Sequence, residues 1–217
     1  MSRRSLVVVT ATAGAVAIGG LAQTLLWRLG SEWLTAITNS QFAWALFCFL
    51  IAWWWSGGRL TAGVAAGALT GLGLITSYYV VQWLVDGRHA AVDQFVDARG
   101  IAWTAATLMG GAVMGLLGGL ASSARDPRRA FGRVAAAGVV GCGPLFWFLL
   151  NRDLFPPEAI AAVVFYLAVG VGLIVVALRS SGARSTVKGG LIAVVVVAAL
   201  LGTLQVLQRT GALYLTF

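Results

Sequence analysis

The sequence predicts an all-α fold: a polytopic integral membrane bundle of about seven transmembrane helices, N-terminus cytoplasmic and C-terminus outside. Three observations predict it. The first is composition. Of 217 residues, 59% are hydrophobic and 10% are charged, and the mean hydropathy is +0.90. A soluble domain carries about 45–50% apolar and about 25% charged residues. So much apolar surface cannot be hidden inside a core that faces water, so the bilayer is the solvent. The second is run length: the apolar residues come in stretches near the ~20 that cross the hydrocarbon as a helix. The third is the spacing of basic residues, which favours alternate connections, the bias that sets orientation.

The seven spans are read at about 6–27, 35–55, 60–85, 101–122, 134–150, 158–178 and 188–208, all within one domain, 1–217. The first follows MSRR and exceeds the h-region of about 7–15 residues in a signal peptide, so it is read as an uncleaved helix. The second starts in polar residues, Asn39-Ser40-Gln41, and has the shortest purely apolar part. The third and fourth flank the longest outer connection, 86–100. In the fifth, Pro144 lacks a backbone N–H and is expected to kink the helix and widen its outer half. The sixth and seventh are separated by a basic connection, 179–187.

Orientation rests on the run SSARDPRRAFGR at 122–133, where Arg125, Arg128, Arg129 and Arg133 face one acid, Asp126. A short arginine cluster of this kind stays cytoplasmic. With it inside, Arg3, Arg4, Arg59, Arg125, Arg128, Arg129, Arg133, Arg179, Arg184 and Lys188 are inside, 10 of the 15 basic residues; Arg28, Arg88, Arg99, Arg152 and Arg209 are outside. The net charge of +8 is spread over short connections rather than one soluble face, which excludes nucleic acid as a partner. Arginine-rich, alanine- and glycine-rich usage indicates a GC-rich bacterial genome, hence a bacterial cytoplasmic membrane. The two cysteines, Cys48 and Cys142, fall in apolar segments and read as small buried hydrophobes.

Gly63, Gly67 and Gly71 recur every four residues in the third span, as do Gly111, Gly115 and Gly119 in the fourth. That interval puts glycine on one helix face, where bare backbones approach closely. Both stripes fall in the cytoplasmic half. Polar and aromatic residues fall in the outer half: Gln23, Asn39, Trp44, Tyr78, Tyr79, Gln82, Trp103, Thr107, Trp147, Asn151 and Gln205. Helices tight at one end and bulky at the other should splay into an outward-facing pocket for a small molecule or lipid. The same residues also suit a plainer role, with Trp and Tyr in an interfacial belt and the amides bonding neighbouring helices.

His89, Asp93 and Asp97 recur every four residues in the outer connection and would share one helix face, a weak candidate for a general base or metal site. No metal or other cofactor is expected. No ionisable residue lies deep in a span, which argues against a proton-driven carrier. No lysine is placed for a Schiff base, and HExxH, P-loop and GxSxG signatures are missing.

Asn39-Ser40 leading into Trp44-Ala45-Leu46, the stretch ending in Tyr78-Tyr79, and Gly111–Gly119 resemble an uncharacterised, domain-of-unknown-function family of small multipass membrane proteins from GC-rich bacteria. A looser resemblance is to the substrate-binding S components of energy-coupling-factor transporters. It rests on small residues of the first span, Ala11 and Ala15 or Ala13 and Ala17, and implies a pocket served by an energising partner. Those proteins have six helices where seven are counted here. The function expected is non-enzymatic binding or passage of a ligand. The alternatives are a membrane enzyme using the His89 face and a structural subunit or homo-oligomer whose glycine stripes meet another protein.

Overall fold

The computed structural model describes residues 41–86, 98–150 and 158–209. Every regular element among them is helical: α1 (Gln41–Trp55), α2 (Leu60–Asp86), α3 (Ala98–Ala121), α4 (Asp126–Ala137), a π-helical turn (Gly138–Cys142), α5 (Gly143–Leu150) and α6 (Glu158–Arg209). Three stretches are long and apolar enough to cross a membrane: Leu60–Val81, Trp103–Ala121 and Ile160–Leu191, with mean hydropathies of 1.5, 1.5 and 2.8. α1 is equally apolar, but its 15 residues rise only about 22 Å at 1.5 Å each.

Two turns meet at one end of the molecule. α1 stops where Gly57 and Gly58 take φ of 55° and 81°, a left-handed conformation open to glycine at little cost. α3 ends at Ala121, and only 122–125 are non-helical before α4 begins. Pro127 sits in the first turn of α4, where its missing N–H is no loss. The arginine run expected as a connection is therefore mostly helix. Ser122 Oγ accepts the Gly58 N–H at 2.9 Å and lies 2.7 Å from Ser56 Oγ, tying the two turns together.

α4, the π turn and α5 form one continuous rod. The π turn ends at Cys142, two residues before Pro144. A proline inside a helix removes one hydrogen bond and crowds the carbonyl four residues back, and a widened turn accommodates both. The kink expected from Pro144 thus takes the form of a π turn.

α6 is two limbs, 158–181 and 183–209, divided at Gly182, whose φ of 74° and ψ of 161° are non-helical. The first limb runs antiparallel to α4: Gly170 meets Gly141, and Ser180 and Val176 meet Arg133. Past the break, Gly189 and Gly190 return to Phe131 and Val134. The basic stretch 179–187, expected as a loop, is helical on both sides of that single residue. Thr186 Oγ1 donates to the Gly182 carbonyl at 2.8 Å and helps restart the helix. The core lies between α1, α3, α4 and α6, where Phe49, Met114, Ala136, Val140, Tyr166 and Ala177 are buried. Large apolar residues such as Leu116, Val164, Val171 and Val194 face outward, as a lipid-solvated surface requires.

Candidate functional site

The arginine-rich end is built around Arg133, which is only 8% exposed. Its guanidinium lies over the Trp53 ring of α1, 4.9 Å from the centroid. Its Nη1 donates to Ser180 Oγ and to the Val176 carbonyl, the latter at 3.4 Å. One cation thus joins α1, α4 and α6. Burial first, and the neighbouring Arg129 charge second, push its pKa below the ordinary arginine value, although a guanidinium stays charged in proteins. Arg129 donates to Asp126 Oδ1, the only ion pair among the described residues. The Nε atoms of Arg129 and Arg133 are buried and have no hydrogen-bond partner among those residues.

From this end to mid-helix, α2 and α3 run antiparallel with their backbones in contact. A methyl placed on Gly67 would lie 2.1 Å from the Gly111 carbonyl oxygen; one on Gly115 would lie 2.2 Å from that of Gly63. Gly71 faces Thr107, whose carbonyl oxygen would be 2.7 Å from a Gly71 methyl. Gly119 is looser, with its nearest contact at 3.4 Å, to the Arg59 carbonyl.

At the opposite end the contacts are aromatic. Trp44 of α1 meets Tyr78 of α2 edge-on at 6.0 Å, and Tyr78 meets Tyr79 at 5.4 Å. Phe42 packs on the buried Tyr166 of α6 at 6.2 Å and fills the space beside Gly143. Such tilted pairs are each worth about 0.5–1.5 kcal/mol beyond their burial. Two nearby hydroxyls bond within their own helices: Ser77 to the Leu74 carbonyl at 2.9 Å and Thr104 to the Gly100 carbonyl at 2.8 Å.

Of the residues singled out from the sequence, Trp44, Tyr78 and Tyr79 come together. Trp103 and Thr107 lie on α3, with Thr107 against the glycine seam. Gln82, Trp147 and Gln205 fall on helices α2, α5 and α6 by their backbones. Gln23, Asn39, His89, Asp93, Asp97 and Asn151 lie outside the described residues, within which no cluster of metal-ligating side chains occurs.

Two of the hollows on the described surface lie near these elements. One, of about 510 Å³, is an apolar patch of α1 that includes Phe47, Leu50 and the 88%-exposed Trp54. The other, of about 280 Å³, lies between the start of α4 and the second limb of α6. Neither is lined by the Trp44–Tyr78 cluster.

Sequence reasoning missed Arg133, which it treated as a topogenic loop charge. Its position at the edge of the apolar run Val134–Ala137 was the available signal. A helix extended backward by one turn from that run puts Arg133 on the buried side with Ala130 and Ala137.

The all-helical architecture of the described residues and their three membrane-length apolar stretches mark this chain as a helical membrane protein. More particularly, it belongs to DUF6518, a family of unknown function whose model matches residues 1–210. Neither the curated proteins nor the solved structures give a match.

Proposed function

We propose that this protein is a seven-helix bundle of a bacterial cytoplasmic membrane, with the arginine-rich end cytoplasmic and the N-terminus inside. It binds, or helps to move, a small molecule or lipid at the opposite end, without chemistry of its own. A partner protein supplies any energy, in the manner of the S components it resembles. The observation that carries the reading is the unequal packing of α2 along its length. Its backbone touches that of α3 from Gly63 to Gly71, whereas beyond it α2 meets α1 through rings, Trp44 on Tyr78 with Tyr79 beside it. Rings hold helices further apart than glycines do, and a mostly apolar opening with a few polar groups suits a small ligand.

The test is native mass spectrometry of the whole protein purified in mild detergent. A discrete non-protein mass, lost in Trp103→Ala and kept in Gly172→Ala, is the expected result; a methyl on Gly172 meets nothing within 4 Å. A bare chain mass, or one carrying only a second protein, would overturn the ligand reading.

A further inference from the structure

The hollow between α4 and the second limb of α6 is lined by Pro127, Phe131, Arg184, Ser185, Lys188 and Gly189. It exists because Gly182 turns the chain back, so that residues one turn beyond the break face the first turns of α4. Its two walls differ. One presents two cations four residues apart on one helix face, Arg184 and Lys188, both exposed, with the Ser185 hydroxyl beside them. The other presents a proline and a phenyl ring. Like charges at this spacing repel and weaken a helix, and among the described residues no carboxylate pairs with them. Asp126, which adjoins Pro127 of the facing wall, is held by Arg129. The other two acids on described helices, Asp86 and Glu158, sit at the far ends of α2 and α6.

We infer that this groove holds the phosphate of an anionic membrane phospholipid. A guanidinium fork, an ammonium and a hydroxyl are the donors that a phosphodiester takes. At ~30 Å³ per water volume, 280 Å³ holds a phosphate with its glycerol. The same donors would take a soluble phosphate ester. Depth in the membrane assigns the lipid instead. The groove lies just past Gly182, where the apolar first limb of α6 ends, and the ring of Phe131 offers a surface to the first carbons of an acyl chain. Basic pockets between helices at the cytoplasmic face bind anionic headgroups for this reason. The inference rests on the membrane orientation proposed above and does not need the ligand reading for the other end.

The experiment titrates short-chain phosphatidylglycerol against the whole protein in neutral detergent and counts bound lipid by native mass spectrometry. Phosphatidylcholine and glycerol 3-phosphate serve as the comparison probes. The expected result is saturable binding of one phosphatidylglycerol, with neither comparison probe competing at equal concentration. The double variant R184Q/K188Q should bind it about 25-fold more weakly, each basic residue near the surface contributing about 1 kcal/mol. R59Q/R179Q removes the same charge from exposed positions outside the groove and should bind within twofold of the parent. Equal weakening in both double variants would reduce the effect to general charge and overturn the site. Glycerol 3-phosphate binding as tightly as the lipid would overturn the lipid assignment.

Discussion

Two helix seams, α2–α3 and α4–α6, solve the same problem by different means. Both bring antiparallel helices into backbone contact. In α2–α3 the contact is repeated, with Gly63, Gly67 and Gly71 facing Gly115, Gly111 and Thr107 in register. In the first limb of α6 it is a single point, Gly141 on Gly170, where a methyl would stand 3.0 Å from the facing Cα. The remainder of that seam combines alanine, at positions 135–137 and 177, with larger buried residues such as Val134, Tyr166 and Leu173 and the buried Arg133. In hydrocarbon, helices gain little from hydrophobic exclusion, so packing and polar contacts hold them together. One seam therefore depends on repeated bare backbone, the other on a polar strut between irregular elements, a π turn and a glycine break. A repeated contact has no slack at any one position. A strut concentrates the dependence in one side chain.

The largest expected effect separates the two seams directly. Gly67→Ala should destabilise the protein by about 3 kcal/mol, because backbone atoms rather than flexible side-chain ends must move. Gly141→Ala should lose about 1 kcal/mol, the facing contact being almost an ångström longer and the overpacking correspondingly milder. Gly110→Ala, which meets nothing within 4 Å, should be neutral or slightly stabilising through helix propensity. Thermal melts of the purified protein in one detergent check all three. Equal losses at Gly67 and Gly141 would erase the distinction between the seams.

Next comes the strut. Arg133→Ala should cost about 2 kcal/mol, since it removes a charge-assisted hydrogen bond, a cation–π contact and a packed aliphatic stem. Arg133→Met keeps the stem volume and removes the buried charge, so about half of that loss should return. If methionine proves as damaging as alanine, the polar contacts to Ser180 and Trp53 dominate the seam. An effect as small as that at Gly141 is expected at the joined turns. Ser122→Ala deletes the acceptor of the Gly58 N–H and the contact with Ser56, and should cost about 1 kcal/mol. Hydrogen exchange at Gly58 should quicken in the same variant while the α2–α3 seam stays protected, which would localise the loss to the turns.

Part of this arrangement was legible in the chain. The interval of four between glycines in α2 and in α3 is visible without coordinates, and their antiparallel pairing needs only two adjacent spans joined at one side. The same reasoning failed at 122–133. An arginine cluster between apolar runs has one obvious explanation, topology, and that explanation conceals a second role for one of its members. Asp126-Pro127 is a helix start by local chemistry, yet composition outweighed it. At Pro144 the sequence indicated a disturbance but not its form, because a kink and a π turn relieve the same clash. At Gly182 it gave no warning: a Ser-Ser-Gly stretch with flanking arginines reads as a loop of several residues, and the reversal takes one.

What the sequence determined by itself was class and local period. Hydropathy summed over some twenty residues fixes the solvent, and a four-residue interval fixes which face of a helix is bare, since both follow from helix geometry alone. Tertiary structure alone decided which charges serve the fold. Arg128 and Arg133 are the same residue type in the same run, five positions apart, yet one is exposed and the other buried against Trp53 and Ser180. The difference depends on what lies opposite each of them, on helices about 50–80 residues away in sequence, and no local pattern carries that information.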